Sequence, residues 1–202
     1  GSVLVLLNND TEVIEPGWLS ELVAQVSRPE VGIAGALLTF SDGTIQHAGV
    51  HPRVGGLMGH GHKHLPMNHP GYFGRLLVAH EVAAVTGACL AVETATFKRL
   101  GGLDEEYLAV AYNDIDLCQK TRRAGLRVIF APGARLVHHE SVSRGFDDDP
   151  NGRERLDRES AVMVERWGDL LDTDPAYSPN LSFDGGSFAL AVRPRVEAPW
   201  KD

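Results

Sequence analysis

The feature that most constrains the fold is a run of five apolar residues followed directly by three polar ones. Val3 to Leu7 is rich in β-forming side chains, and Asn8, Asn9 and Asp10 end the run. An uninterrupted apolar run of this length predicts a strand covered on both faces, as in a parallel sheet. The polar triplet then lies at the carboxyl end of the strand, where open α/β sheets bind ligands.

The rest of the chain alternates helical and extended patterns, which predicts an α/β fold with a mixed, mainly parallel sheet flanked by helices. Apolar spacing and terminal glycine or proline predict helices over 16–26, 94–100, 113–124 and 149–171, with Asn113 as the N-terminal cap of the third. Strands are predicted over 31–40, 44–47, 82–92, 127–130 and 134–138, the last two on either side of a turn at Pro132-Gly133. Residues 50–75 contain five histidines and little periodicity, which predicts a long loop.

Size and charge exclude several classes of protein. The 202 residues, 43% of them hydrophobic, are enough for one domain with its own core. The net charge of −8 argues against a nucleic-acid partner. No apolar run reaches the roughly 18 residues of a transmembrane segment. The two cysteines, Cys89 and Cys118, predict free thiols in a reducing compartment, so we expect a cytoplasmic protein, either free or peripheral to the inner face of the membrane.

Two carboxylates are candidates for chemistry. Asp10 is a hard oxygen ligand that could hold a divalent cation against a diphosphate, although a turn-capping role is also consistent with the pattern. Asp114 lies in the first turn of a predicted helix, on its inward-facing edge. The helix dipole lowers its pKa and partial burial raises it, and a general base needs the raised value. The spacing of Asp116 and Lys120 predicts a surface ion pair on the opposite face.

A polar segment at the end of the last predicted strand adds a second group of candidates. His138 and His139 point to opposite faces of the strand, so only one of them can face a cleft. A neutral imidazole is a good ligand for Mn²⁺ and a poorer one for Mg²⁺. Ser143 and Arg144 could contact phosphate oxygens, although a purely polar strand end is an alternative. The histidine-rich segment 59–64 could bind zinc.

Taken in order along the chain, these segments resemble family 2 glycosyltransferases of the GT-A fold. Residues 6–13 and 16–19 are similar to the family's metal and diphosphate motif, and residues 85–90 with 101–105 to its acceptor side. Residues 113–118 (Asn-Asp-Ile-Asp-Leu-Cys) are similar to its catalytic motif, and 138–141 to the segment of its metal-ligand histidine. The tail 174–182 resembles rhamnosyltransferase-like members from bacterial O-antigen and related surface-polysaccharide pathways.

The resemblance implies an inverting transfer of a sugar from a nucleotide-diphosphate donor to the hydroxyl of a glycan or lipid-linked acceptor. Asp114 would be the base, and Asp10 and His138 would hold Mn²⁺ or Mg²⁺, with His139 in reserve. His138 is preferred because Ser143 follows it at the family's five-residue spacing. The resemblance further implies that substrates are bound by Asn8, Asn9, Thr86, Gly87, Ala88, Asn113, Ser143 and Arg144.

The chain departs from the family pattern in two ways. Asn8 stands where the family often has the first acid of its metal motif, so metal binding would rest on Asp10 and His138. The family's nucleotide-binding half has no counterpart before Val3, so the chain resembles the C-terminal part of a catalytic domain. We expect that part to span residues 1–172, with 173–202 forming an extension packed on it.

Two other functions are consistent with the sequence. An incomplete, noncatalytic domain would self-associate through its exposed sheet edge, since unpaired strand edges invite association. A metal-binding module built on the histidine-rich segment would retain zinc.

Overall fold

Two long parallel strands, β3 (Val31–Thr39) and β9 (Arg127–His138), form the centre of the sheet. The computed structural model describes residues 1–139, 150–172, 174–183 and 188–196. The remaining strands are β1 (Val3–Leu7), β2 (Thr11–Val13), β4 (Ile45–His47), β5 (Val50–Pro52), β6 (Met58–His60), β7 (His80–Glu81) and β8 (Cys89–Glu93). The helices are α1 (Trp18–Val26), α2 (Thr94–Arg99), α3 (Asn113–Arg123) and α4 (Pro150–Asp172), and a short 3-10 turn covers Tyr72–Gly74.

The sheet is mixed, as predicted, but it is not mainly parallel. Its order is β1-β8-β3-β9-β2, with β4 paired to β3 and β7 to β9. Among the described strands, only β3 and β9 run parallel, and every other pairing is antiparallel. The prediction was wrong because a continuous apolar run reports that both faces are covered and carries no information about strand direction.

Helices cover both faces of this sheet. From β3, the side chains of Ala34, Ala36 and Leu38 pack with α1 on one face. Ile33 and Leu37 pack on the other face, in the cluster that contains Leu117 of α3 and Met163 and Trp167 of α4. The alternation of side chains along one strand therefore builds both core layers.

Strand β9 corrects the prediction of two short strands. It runs unbroken through Pro132 and Gly133, and its register with β3 shifts between the pairs Ala36–Ala131 and Leu37–Arg135. The intervening residues form a bulge, so the turn signal marked an irregularity inside one strand. As a consequence, His138 lies at the end of a strand that is anchored along the centre of the sheet.

The first strand also differs from its prediction. β1 pairs with β8 on one side, and in the described part of the chain no strand lies on its other side. Its residues are half-buried, with Leu7 exposed. The region 50–75, predicted as a loop, contains a two-stranded ribbon formed by β5 and β6. Of the predicted strand 82–92, only residues 89–92 belong to a strand, β8, and the short β7 ends just before the predicted start.

The described residues after α4 lie against the ribbon. Tyr177, Leu181 and Phe188 form a small apolar cluster with Val54, and Asp174 Oδ2 lies 3.0 Å from Nδ1 of the buried His51. The boundary at residue 172 between a catalytic part and an extension stays a prediction. No helix within the described ranges is both long and apolar enough to cross a membrane.

Candidate active site

A cleft of about 1000 Å³ opens at the end of β1. It is bordered by the polar residues after β1, by the segment before β8, by the start of α3 and by the end of β9. The predicted site residues that line it are Asn8, Asn9, Asp10, Thr86, Gly87, Ala88, Asn113, Asp114 and His138. Residues far apart in the sequence are therefore brought to one place by the sheet.

Asp114 is held in the cleft by backbone amides. Its Oδ2 accepts a hydrogen bond from the Gly87 N–H at 2.6 Å, and its Oδ1 accepts one from the Ile115 N–H at 2.7 Å. Burial raises the pKa of the carboxyl above its ordinary value, against the lowering effect of the bonds from Gly87 and Ile115. The conflict that the sequence left open is thus decided in the direction that a general base requires.

The approach of α3 to the segment before β8 depends on a glycine. A Cβ at Gly87 would lie 3.2 Å from the Cβ of Asp114, closer than ordinary packing. The helix begins at Asn113, as predicted, but Asn113 does not cap it. Tyr112 occupies the capping position with φ +61° and makes no side-chain cap bond. This turn brings the first residues of α3 to the wall of the cleft.

Asp10 and His138 meet in the same cleft. Nδ1 of His138 lies 2.7 Å from Gln46 Oε1, to which it donates, so Nε2 is free of a proton in the neutral ring. That Nε2 lies 3.2 Å from the amide nitrogen of Asn8 and 3.2 Å from Asp10 Oδ1. The Asp10 oxygen is buried and receives no hydrogen bond from the described residues. The pair thus places a carboxylate oxygen and, in the neutral ring, an imidazole lone pair side by side.

His139 lies away from this group. Its Nδ1 is 2.9 Å from Ser41 Oγ and its Nε2 is 3.3 Å from Glu12 Oε2. It does not line the cleft. His138 ends β9 and His139 follows it, and the two rings have different partners, so the geometry favours His138 as the ligand.

Asp116 was predicted to form a surface ion pair, and this prediction was wrong. The side chain is fully buried. Oδ1 accepts a hydrogen bond from Trp167 Nε1 at 2.9 Å, and Lys120 Nζ lies 2.7 Å from Oδ2. The spacing to Lys120 is as expected, but α4 covers this face of α3 and converts an exposed pair into an anchor between two helices.

Sequence reasoning missed the polar residues that support the site. Gln46 is buried in β4 and orients His138. Glu159 of α4 is buried and accepts the backbone N–H of Ala111 at 2.5 Å, next to the start of α3. Neither residue belongs to a motif. A buried amide or carboxylate cannot be distinguished from an exposed one before the strand order is known.

Ser143 and Arg144 lie outside the described residues. The histidines of 59–64 do not converge in the structure. His60 faces His47, His62 accepts the backbone N–H of Tyr72, and His64 stacks on Phe40. Across the described ranges, no three histidine, cysteine or acidic residues come together as a metal site.

Residues 2–156 match the family described as "Glycosyltransferase like family 2". The chain is 49% identical over 191 residues to an uncharacterized protein, y4gI, of Sinorhizobium fredii, covering 95% of this chain and 21% of that protein. It is 38% identical over 197 residues to the O-antigen biosynthesis protein RfbC of Myxococcus xanthus, covering 96% of this chain and 15% of that protein. The chain therefore spans about a fifth or less of the length of these relatives.

A shorter relative and a solved structure are also similar to this chain. An N-acetylglucosaminyl-diphospho-decaprenol L-rhamnosyltransferase of Mycobacterium tuberculosis is 31% identical over 147 residues, which are 65% of this chain and 45% of that protein. The crystal structure of GalNAc-T7 with UDP, GalNAc and Mn²⁺ superposes with a TM-score of 0.60 and 19% identity. The superposition covers 85% of this chain and 32% of that one, and it shows that the GT-A-like fold is shared.

Proposed function

The chain belongs to glycosyltransferase family 2, and from this we propose that it contributes the metal, acceptor and base elements of an inverting sugar transfer. The donor is a nucleotide-diphosphate sugar, and the acceptor is a hydroxyl of a glycan or a lipid-linked saccharide. The observation that carries the proposal is that Asp10, His138 and Asp114 line one cleft.

Asp114 is the proposed base. The acceptor hydroxyl attacks the anomeric carbon from the face opposite the diphosphate, and the new bond from oxygen to carbon forms as the bond from carbon to the phosphate oxygen breaks. The hydroxyl proton passes to the Asp114 carboxylate, and the electron pair of the broken bond leaves with the diphosphate. The raised pKa of Asp114 supports this role, because a carboxylate of ordinary pKa is a weak proton acceptor near neutral pH.

Asp10 and His138 fit a divalent cation. A buried carboxylate oxygen of Asp10 that receives no hydrogen bond from the described residues, and Nε2 of His138, are hard and borderline ligands, a combination suited to Mn²⁺. Asn8 contributes an amide beside them in place of a second acid. Bound there, Mn²⁺ or Mg²⁺ would offset the charge that develops on the departing diphosphate.

The names of the relatives support a role in surface-polysaccharide synthesis. One relative is named for O-antigen biosynthesis and another for L-rhamnosyl transfer to a diphospho-decaprenol saccharide. The superposed structure was solved with UDP, GalNAc and Mn²⁺, which supports a nucleotide donor and a divalent metal. Thr86, Gly87 and Ala88 are proposed to line the side of the transferred sugar and the acceptor, and Asn9 and Asn113 to contact substrate beside them.

The test is a transfer assay with a panel of sugar nucleotides, comparing wild type with Asp114→Asn and Mn²⁺ with a chelator. We expect Asp114→Asn to lower kcat by about 10²–10⁴-fold with little change in donor KM, since the amide cannot accept the proton. We expect chelation to suppress turnover and added Mn²⁺ to restore it. Equal rates for wild type and Asp114→Asn would contradict the assignment of the base.

A further inference from the structure

A pair of histidines that the proposed transfer does not use, His47 and His60, joins the β5–β6 ribbon to the cleft. His47 ends β4 and is fully buried, whereas His60 ends β6 and lines the cleft. Their Nδ1 atoms are 2.8 Å apart. One ring must therefore donate at Nδ1 and the other must accept there.

The backbone determines which ring donates. His47 Nε2 accepts the N–H groups of Gly49 and Thr86, each at 3.4 Å. A backbone amide only donates, so His47 Nε2 carries no proton and its proton is on Nδ1. His47 then donates to Nδ1 of His60, which leaves the proton of His60 on Nε2.

Burial keeps both rings neutral. It lowers the pKa of His60 to about 4 and holds the pKa of His47 well below its ordinary value. The geometry agrees, because a second proton on His60 Nδ1 would face the proton of His47 across 2.8 Å. The Nδ1–H form of His47 with the Nε2–H form of His60 is therefore consistent with the contacts between the two rings and with the backbone N–H groups of Gly49 and Thr86.

Nε2 of His60 has no hydrogen-bond partner among the residues that the structure describes, and the ring borders the cleft beside Val50 and Met58. We infer that His60 is a substrate-binding residue whose Nε2–H donates to an oxygen of a saccharide held in the cleft. The inference rests on the proposed function, which supplies the saccharide, either the transferred sugar or the acceptor.

The ribbon holds His60 at a fixed position relative to the base. Val50 pairs with His60 in the ribbon and exchanges backbone hydrogen bonds with Ala84, two residues before Thr86. Gly61 N–H donates to the Gly49 carbonyl at 2.9 Å. The Thr86 N–H donates to His47, and the next amide in the chain, the Gly87 N–H, donates to Asp114. The donor on His60 and the carboxylate of Asp114 are thus linked through adjacent peptide groups.

The tautomers are tested directly by nitrogen NMR. Two-bond ¹H–¹⁵N correlation spectra of the ¹⁵N-labelled chain distinguish Nδ1–H from Nε2–H imidazoles, and they need no ligand. We expect the Nδ1–H form for His47 and the Nε2–H form for His60, with His60→Gln used to assign the signals. The Nδ1–H form on His60 would overturn the inference.

The binding role is tested with His60→Leu, which removes the donor, and His60→Gln, which keeps an N–H donor near the position of Nε2. His69→Leu, an exposed histidine of the neighbouring loop, is the matched control. Calorimetry with Mn²⁺ compares dTDP-L-rhamnose, UDP-N-acetylgalactosamine and GDP-mannose with their free diphosphates. We expect His60→Leu to weaken sugar recognition about threefold to tenfold, as expected for one lost hydrogen bond, and His60→Gln to restore most of it.

Each result has a defined meaning. A loss of affinity for the sugar nucleotide alone supports contact with the transferred sugar. An unchanged donor affinity, with a raised acceptor KM in the transfer assay, supports contact with the acceptor. An equal loss for the free diphosphate, or no change in either substrate, overturns the inference. A wild type that binds no sugar nucleotide overturns the proposed function and the inference together. Should His60→Leu fail to fold, His60→Met provides a second apolar replacement.

Discussion

At the scale of single residues, His138 at the end of β9 and His139 directly after it form a matched pair for testing the metal ligand. We expect His138→Ala to lower Mn²⁺ affinity by at least about tenfold, because it removes the imidazole beside Asp10. The loss of a residue that only supports a metal ligand already lowers metal affinity by about 10–100-fold. The measurement is a titration of free Mn²⁺ followed by electron paramagnetic resonance.

His139→Ala is the control for this titration, since its ring contacts Ser41 and Glu12 and does not line the cleft. We expect its Mn²⁺ affinity to equal that of wild type. A loss of Mn²⁺ affinity in His139→Ala with none in His138→Ala would make His139 the metal ligand, which is the alternative that the sequence left open.

The raised pKa of Asp114 predicts the acid side of the pH profile. Transfer needs the carboxylate, so kcat/KM should fall as pH drops through the raised pKa, at a higher pH than for an ordinary aspartate. The effect on stability has the opposite sign. A carboxyl whose pKa is higher in the folded state stabilises the fold at pH values below the ordinary aspartate pKa, and this contribution is lost as the pH rises through the raised pKa. A kcat/KM profile that is flat down to the ordinary aspartate pKa would contradict the expected effect of burial.

The sequence predicted the residues of the cleft better than the reasons for their placement. Asp10, Asp114 and His138 could be chosen because they match motifs of the family that the chain resembles, whereas the residues alone left His138 and His139 as alternatives. The direction of the Asp114 pKa shift could not be predicted, because the opposing effects of the helix N-terminus and of burial depend on how closely Gly87 approaches the carboxyl group. Gln46 could not be found, since its role exists only where β4 meets the end of β9.

At the scale of elements, Asp116 fastens α3 to α4. We expect Asp116→Ala to lower the free energy of unfolding by about 3–5 kcal/mol, because it leaves Trp167 Nε1 without its acceptor and Lys120 and Arg166 without their buried partner. Chemical denaturation followed by tryptophan fluorescence measures the change.

Glu154→Ala is the comparison for this anchor. Glu154 forms an ion pair with Arg158 at the same spacing in the chain, but both side chains are exposed. Its removal should cost at most about 0.5 kcal/mol. Similar losses for the two variants would mean that Asp116 contributes no more than a surface pair.

The contrast between these two pairs shows why element positions could be predicted and their faces could not. Apolar spacing located α1, α3 and α4 to within about two residues at each end. The charged face of α3 was read as exposed, because the sequence does not state that α4 covers it. The bulge at Pro132 and Gly133 was read as a turn for the same reason, since only the register with β3 shows that the strand continues.

At the scale of the whole molecule, β1 offers one unpaired edge within the described part of the sheet. Backbone groups on such an edge are templates for another strand. We expect this chain to self-associate in sedimentation velocity as its concentration rises, and we expect Val3→Lys to suppress the association by placing a charge on the edge. A single monomeric species at every concentration would contradict this expectation.

The β5–β6 ribbon has a consequence for how members of such a family diverge. Asp10 follows β1, His138 ends β9 and Asp114 lies in α3, whereas His60 belongs to a separate two-stranded sheet. On the proposed role of His60, changes of sequence in the ribbon would alter which saccharide is recognised. Because Val50 of the ribbon bonds to Ala84, close to the Gly87 amide that holds Asp114, we expect a ribbon grafted from one member onto another to change substrate preference and turnover together.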